Sequence, residues 1–340
     1  MNNRATTEFF LRASAALMLA AVALFLLHNY LVHWRGWHAW SVGGRGWMQA
    51  VSYAAVLAAT VATVWRTPAR SPRDDAQLYS GLAAYLIRAA FWGALLIGLV
   101  DMLISFLRVE GFLEAAVGSH LATQLGRPVF RGTLVHYPLL LASLVIAYFV
   151  RSLGFIWLAF LVVLAEFQVV LSRFVFSYEQ AFMGDLVRFW YAALFLFASA
   201  YTLLHEGHVR VDVLYANFTA RGKAWSNAAG AALLGLPVCW TILVYGFAGK
   251  GASIVSPLLG FEISQSGYGM YVKYLMAGFL LVFAVSMAIQ FTAAFLDNAA
   301  TLLDGGESDE DKTRDRNRRD STPGPAPRDS VAPAASAAAG

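Results

Sequence analysis

Charged side chains are scarce in this sequence. Of 340 residues only 14% are Asp, Glu, Lys or Arg, 59% are hydrophobic, and the mean hydropathy is +0.57. Soluble domains carry about 25% charged residues. The few charges collect in short clusters between long apolar runs, which is typical of multi-pass membrane proteins. The sequence therefore predicts an all-α integral membrane protein embedded in a lipid bilayer.

Cysteine, basic stripes and phosphate-binding loops are also missing. The single cysteine, Cys239, excludes an intrachain disulfide, and zinc-finger spacings are absent. No basic stripe with interleaved aromatic residues is present, so we expect no nucleic-acid partner. The GxxxxGK[ST] loop that cradles ATP phosphates is absent as well. No cofactor is predicted.

Long apolar segments divide the chain. Since lipid offers no partners to backbone groups, each segment is predicted to form a transmembrane helix. The first is interpreted as a span and not as a cleaved signal, because no small-residue cleavage site closes it. The fourth and fifth form one run of about 42 residues, twice a bilayer span, which we divide at "RSLG" (151–154). The eight predicted spans are about 11–32, 48–66, 84–107, 133–150, 153–174, 188–205, 226–248 and 271–296.

The distribution of Lys and Arg sets the predicted orientation. Basic residues are slightly more frequent on the side that holds the N-terminus, which favours cytoplasmic N- and C-termini. The end of the chain is charged and then rich in Pro and Ala, without apolar periodicity, so it is predicted to be disordered. We expect an N-terminal four-helix extension over 1–152, a second four-helix body over 153–300, and a cytoplasmic tail over 301–340.

A polar stretch, "HEGHVRVDVLY" (205–215), connects the sixth and seventh spans on the predicted cytoplasmic side. On a helix, His205, His208 and Asp212 share a face and could bind a metal ion. As a strand, its valines would face one way and its charges the other, which requires a partner chain. As an interfacial segment, it would turn its polar side chains to water or to a neighbouring subunit. The residues alone leave all three interpretations open.

Two acids lie deep inside predicted spans. Asp101 is followed seven residues later by Arg108, and Glu166 is followed at the same spacing by Arg173. Seven residues are two helical turns, roughly 10.5 Å along one face. Ionisable groups at such depth are candidates for function. They would serve either an ion or proton path or a structural polar contact to a neighbouring helix or subunit, and we favour the structural role.

Several motifs resemble one transporter family. "LLHEGHVRVDVLYANFTARGKAW" (203–225) resembles the signature of the small permease (Q-type) subunit of tripartite ATP-independent periplasmic (TRAP) transporters. Arg188 and His208 keep the family's spacing of twenty residues. The resemblance covers about 153–298, four helices. Further matching motifs are "LSRFVF" (171–176), "GDLVRFW" (184–190) and "SQSGYGMYVKYLMA" (264–277).

The sequence departs from the family pattern in one helix. Gly184 replaces the first of two paired glutamates, and Asp185 takes the second place. Ala193 and Ala198 stand where many members have Trp and Gly. The signature loop is intact.

The resemblance implies a function. Q-type subunits are small, non-enzymatic proteins of the bacterial inner membrane that pack against a large M-type permease, which carries the sodium and substrate sites. A periplasmic solute-binding protein delivers the substrate, usually an organic acid, and an ion gradient drives uptake. The resemblance implies that His208, Arg210 and Asp212 fix the cytoplasmic loop within the subunit or to its partner. It also makes Asp185 and Arg188 candidates for subunit interaction.

A different class of protein is an alternative. His28 and His136 would suit the membrane anchor subunit of a haem-b respiratory complex if they faced each other across a helix bundle. Both lie near the ends of predicted spans, which makes that geometry poor.

Overall fold

The computed structural model describes residues 3–37, 46–151, 156–204, 215–264 and 268–305. Within these ranges the regular secondary structure is helical, without strands. One π-helical turn lies in α6 at Gly132–His136 and another in α9 at Ala231–Gly235. The helices are α1 (Asn3–Arg35), α2 (Gly46–Arg66), α3 (Pro72–Val109), α4 (Leu113–Val117), α5 (Ser119–Leu125), α6 (Pro128–Phe149), α7 (Ile156–Phe176), α8 (Ala181–Leu204), α9 (Ala220–Gly246), α10 (Val255–Gly260) and α11 (Lys273–Leu303).

The predicted all-α membrane architecture is confirmed. Among the described residues, seven helices are long and apolar enough to cross a membrane, namely α1, α3, α6, α7, α8, α9 and α11. The second predicted span is also a helix, α2, with 21 residues, but it is not one of those seven. The division of the fourth and fifth spans is confirmed too, because α6 ends at Phe149, Val150 is extended, and α7 begins at Ile156.

The third membrane helix is longer than its apolar segment indicates, because α3 begins at Pro72 and not near residue 84. The Ser71 hydroxyl accepts a hydrogen bond from the Asp74 amide (3.2 Å), and the Asp74 carboxylate accepts one from the Ser71 amide (2.8 Å). These reciprocal bonds form a capping box, and Pro72 suits the first helical position because its missing N–H needs no partner. The sequence "SPRDD" thus starts the helix well before the apolar run.

The centre of the bundle is formed by α3 and α11. α3 makes its most extensive contacts with α11, α6 and α8, and α8 also packs against α11. One buried cluster joins Phe91 and Ile97 of α3 to Phe189 of α8 and Phe279 of α11. The N-terminal helices therefore share a hydrophobic core with the C-terminal ones.

A glycine sets the distance between α3 and α8. A Cβ atom on Gly98 would overlap the indole of Trp190, and that indole Nε1 donates a hydrogen bond to the Ala94 carbonyl (3.1 Å). Because Gly98 has no side chain, the tryptophan ring lies directly on the backbone of α3.

Ion pairs join the predicted cytoplasmic ends of α1, α3 and α11. The buried guanidinium of Arg12 donates to Asp75 (2.7 Å) and to the Thr67 carbonyl (2.8 Å). Arg4 donates to Asp304 (2.6 Å) just beyond the last helix. The N-terminal segment is thereby tied to both central helices.

Candidate functional site

The signature loop lies outside the described residues. His208, Arg210 and Asp212 fall in 205–214, between the end of α8 and a 3₁₀ turn at Tyr215–Asn217. The following helix, α9, is capped by Thr219, whose hydroxyl accepts from the Gly222 amide (3.2 Å). The roles of the three loop residues therefore stay predictions, and so does the choice among the metal, strand and interfacial interpretations.

Asp101 lies at the centre of a buried polar cluster. Its side chain is fully buried in α3. One carboxylate oxygen, Oδ1, accepts from Arg131 Nη1 (3.0 Å) and lies 3.0 Å from His136 Nε2. The other, Oδ2, accepts from the backbone amide of Tyr271 (2.7 Å). Both oxygens are therefore hydrogen-bonded, which compensates for the loss of water.

Arg131, at the beginning of α6, supplies the compensating charge. It is fully buried, and its Nε donates to the Leu125 carbonyl (2.9 Å) while Nη1 also reaches the Ser105 hydroxyl (3.2 Å). Its guanidinium lies over the ring of Tyr271 at 4.0 Å from the centroid. The pairing of a planar cation with a carboxylate and an aromatic face is favourable in a dry site.

His136 extends the cluster to α11. Its Nδ1 lies 2.8 Å from the Tyr274 hydroxyl, and the two rings stack with centroids 5.9 Å apart. A neutral ring with its proton on Nε2 would donate to Asp101 and accept from Tyr274, satisfying both nitrogens. The cluster thus links α3, α6 and α11 through a continuous chain of hydrogen bonds.

Asp185, on α8, also accepts a backbone hydrogen bond from the turn that leads into α11. Its Oδ2 accepts from the backbone amide of Met270 (3.1 Å), and its Oδ1 lies 3.5 Å from Arg188 Nη1. Met270 and Tyr271 are consecutive residues in the turn that leads into α11. Two carboxylates from different helices, those of Asp101 and Asp185, therefore accept hydrogen bonds from successive backbone amides in this turn. Their negative charges also interact favourably with the positive end of the α11 dipole.

Asp101 and Arg108, seven residues apart on α3, do not form an ion pair in the structure. Arg108 donates to the Tyr271 hydroxyl and lies 5.5 Å from that ring, while Asp101 pairs with Arg131. The Tyr271 hydroxyl in turn donates to the Gly126 carbonyl (3.0 Å). The two α3 residues therefore meet at Tyr271 and not at each other.

The second acid has a different environment. Glu166 is exposed on α7, and within the described residues it has no hydrogen bond or ion pair. Arg173 lies 3.4 Å from Glu179, with both side chains more than half exposed. Asp101 and Glu166 share a sequence pattern but not a structural role.

A hydrogen bond outside the spans connects α3 to the turn between α7 and α8. The Tyr178 hydroxyl donates to the Glu110 carboxylate (2.5 Å). Burial and this bond raise the pKa of Tyr178 to about 12, so the phenol remains a hydrogen-bond donor well above neutral pH.

Sequence reasoning missed most of the residues around Asp101. Arg131 falls between the third and fourth predicted spans, and the sequence indicates for His136 only the haem-ligand alternative. "PVFRGTLVHYP" (128–138) places both at the beginning of an apolar run, five residues apart, which is the pattern that could have indicated an intramembrane polar pair. Tyr271 and Tyr274 lie within the quoted motif "SQSGYGMYVKYLMA".

The histidines of the haem alternative have separate partners. His28 Nδ1 lies 2.6 Å from the Tyr53 hydroxyl of α2, whereas His136 is held between Asp101 and Tyr274. Among the described residues, no group of three or more His, Cys, Asp or Glu could hold a metal ion.

The C-terminal helices match a known family. Residues 159–301 match the family model described as tripartite ATP-independent periplasmic transporters, DctQ component. This region belongs to the DctQ family. The DctQ region begins inside α7 and ends inside α11, so its membrane helices are α7, α8, α9 and α11. No curated protein and no solved structure shows significant similarity to the chain.

The family match indicates the class of protein. Residues 159–301 are similar to a component of TRAP transporters, a family of transporter subunits and not of enzymes, and seven helices of the described residues are long and apolar enough to cross a membrane. Asp101, Arg131 and His136 lie before the DctQ region, whereas Asp185, Tyr271 and Tyr274 lie within it. The buried cluster therefore joins the two parts of the chain.

Proposed function

We propose that this protein acts as the scaffold of a TRAP-type secondary transporter. It would hold the large M-type permease in place while an ion gradient drives uptake of an organic acid or similar solute delivered by a periplasmic binding protein. The observation that carries this proposal is the DctQ match over four consecutive membrane helices. On this proposal the chain alone transports nothing.

The N-terminal helices would enlarge the scaffold. Asp101 and Arg131 are fully buried, and Asp101 accepts a hydrogen bond from the amide of Tyr271, two residues before the last DctQ helix begins. An ion path needs a carboxylate that can exchange its partners with water or ions, whereas both oxygens of Asp101 are engaged by protein donors. This arrangement supports a structural role for Asp101, which fixes the turn into α11.

We propose that the N- and C-termini face the cytoplasm, because Lys and Arg are slightly more frequent on that side of the predicted membrane. The connection from α8 to α9 would then face the cytoplasm as well. His208, Arg210 and Asp212 would then seat this connection on the subunit or on the large permease. Charge-assisted hydrogen bonds of that kind contribute roughly 1.5–3 kcal/mol each when they are shielded from water.

Co-purification with the large permease tests the scaffold role. The affinity-tagged chain is expressed together with an M-type permease, and the complex is reconstituted in vesicles with the binding protein. Sodium-driven uptake of labelled organic acids is expected from the complex and from neither subunit alone. Sodium-driven uptake by the purified chain alone would overturn the proposal, and a Soret absorbance band would instead favour the haem-anchor alternative.

Two substitutions separate the proposed roles of residues in this assay. Arg210→Ala should lower the yield of the complex without lowering the yield of the chain. Asp101→Asn should lower the yield of folded chain and reduce uptake in proportion. Normal assembly of the Asp101→Asn complex with complete loss of uptake would show that this acid belongs to an ion path.

A further inference from the structure

Helix α7 exposes most of its surface. Its buried residues, Leu158, Val162 and Ala165, form one stripe, and α7 packs chiefly against α8. On the other side, Val163 is 65% and Phe167 58% exposed. Apolar exposure by itself only indicates contact with lipid, because lipid tails are as apolar as these side chains.

Glu166 makes this surface unsuitable for lipid alone. It is the eleventh of 21 residues in α7, about 15 Å from either end of the helix, and therefore near the middle of a hydrocarbon layer about 30 Å thick. The side chain is exposed and, within the described part of the chain, has no hydrogen-bonding or ionic partner. A glutamate is too short to reach the membrane surface from this depth.

Arg188, the exposed arginine on the neighbouring helix α8, does not lie as deep in the membrane as Glu166. Arg188 follows Ala181, the first residue of α8, by only seven positions, or about 10 Å. Its long side chain can extend to the membrane surface, and it has Asp185 beside it. Glu166 is thus the exposed charge in this region that requires a partner from outside the described chain.

The residues around Glu166 form a continuous face. Val163, Glu166, Val170 and Arg173 recur at three- and four-residue intervals, so they lie on one side of the helix, here called the Glu166 stripe. The valine and arginine side chains on this stripe are exposed. An approaching helix would find aliphatic side chains on either side of one exposed carboxyl group.

We propose that the Glu166 stripe docks against a transmembrane helix of the large permease, and that this helix presents a hydrogen-bond donor at the depth of Glu166. A hydrogen bond from a basic or amide side chain would satisfy the Glu166 carboxyl group. In lipid such a contact between helices is favourable, because the alternative is an unpaired polar group in hydrocarbon. The inference rests on the proposed function, since the permease is the partner that the function requires.

Site-directed photo-crosslinking tests the surface. A benzophenone amino acid is placed at Val163 or Val170 in the full chain, co-expressed with the large permease. Matched exposed positions on other membrane helices, Leu141 of α6 and Leu234 of α9, serve as controls. Adducts with the permease are expected from the stripe and not from the controls.

Substitution of the acid tests the polar contact. Glu166→Leu should weaken permease binding about tenfold, which corresponds to about 1.4 kcal/mol, while Glu166→Gln should weaken it less because the amide keeps an acceptor. Glu114→Gln, at an exposed acid of α4 that is not on the stripe, should leave binding unchanged. The chain's own yield should not fall in the Glu166 variants, since the side chain makes no contact within the described residues that folding would lose.

The outcomes distinguish this inference from the proposed function. If wild-type chain binds the permease but crosslinks arise equally at the control positions, or Glu166→Leu binds normally, the docking surface is wrong and the scaffold role stands. If no permease binds the wild-type chain, and Val170 forms adducts with a second copy of the chain or none, both proposals are wrong.

Discussion

Helices α3 and α7 each carry an acid in the membrane, followed seven residues later by an arginine, yet they use it in opposite ways. Asp101 is fully buried and bonded on both oxygens, whereas Glu166 is exposed and unpaired within the described residues. The partners of Asp101 come from 30 to 170 positions away in the sequence. The comparison shows that the fate of an intramembrane acid depends on donors that the fold brings from elsewhere.

The two acids also differ in what they connect, either parts of one chain or the chain and a partner. In α3 the acid binds one part of the chain to another. In α7 the same kind of residue is left for a partner, because α7 lies at the edge of the bundle and contacts chiefly α8. Removing the first acid should therefore affect folding, and removing the second should affect only association.

Asp101→Ala is expected to have the largest effect. It leaves the Arg131 guanidinium buried without its counter-ion, and breaking a buried pair in this way costs about 3–5 kcal/mol. The yield of monodisperse protein and its thermal unfolding midpoint in detergent, followed by fluorescence-detected size exclusion, should both fall strongly.

Glu166→Ala is the matched control for Asp101→Ala. Because Glu166 has no partner within the described residues, the substitution should leave the unfolding midpoint unchanged or raise it slightly. Equal loss of stability in the two variants would abolish the contrast between α3 and α7.

Gly98→Ala should have the next largest effect. The new Cβ would collide with the indole of Trp190 and separate α3 from α8, and such overpacking costs about 1–3 kcal/mol. Gly81→Ala on the same helix is the control, because nothing lies within 4 Å of the added atom. It should stabilise the helix by about 0.5–1 kcal/mol. A Gly98→Ala variant as stable as Gly81→Ala would contradict the close packing of these helices.

The helical architecture was largely predictable from the sequence, because a lipid environment restricts which backbone structures are possible. Since backbone groups in lipid must be satisfied within each segment, long apolar runs can be assigned as helices without knowledge of their neighbours. The separation of α6 from α7 followed from length alone. The early start of α3 was missed because it depends on the capping box at Ser71 and Asp74, in a polar stretch that a search for apolar runs passes over.

The polar cluster was predictable only in part. Asp101 was identified because a charge in an apolar run is conspicuous. Its partner could not be identified, since Arg131 lies on a different helix, α6, thirty residues further along the chain. Contacts between helices depend on rotation and tilt, which the local sequence does not encode.

Tyr274→Phe should have a moderate effect, of about 1 kcal/mol, and it tests how far the cluster depends on its outer member. The substitution removes the hydroxyl group that faces His136 Nδ1, and a neutral hydrogen bond contributes about 0.5–1.5 kcal/mol. Tyr137→Phe, at a partly exposed neighbour of His136, should leave the unfolding midpoint unchanged. A loss as large as that of Asp101→Ala would show that the histidine bond, and not the Arg131 pair, holds the cluster together.

Arg173→Ala should have the smallest effect, although its spacing from Glu166 matches that of Arg108 from Asp101. Its ion pair with Glu179 lies at the end of α7 with both side chains largely exposed, and such pairs contribute about 0–1 kcal/mol. The unfolding midpoint of the isolated chain should therefore change little, and any small difference should disappear at high salt because exposed charges are screened. A large, salt-independent loss would mean that Arg173 is bound to a buried group, and α7 would then resemble α3 more than the structure indicates.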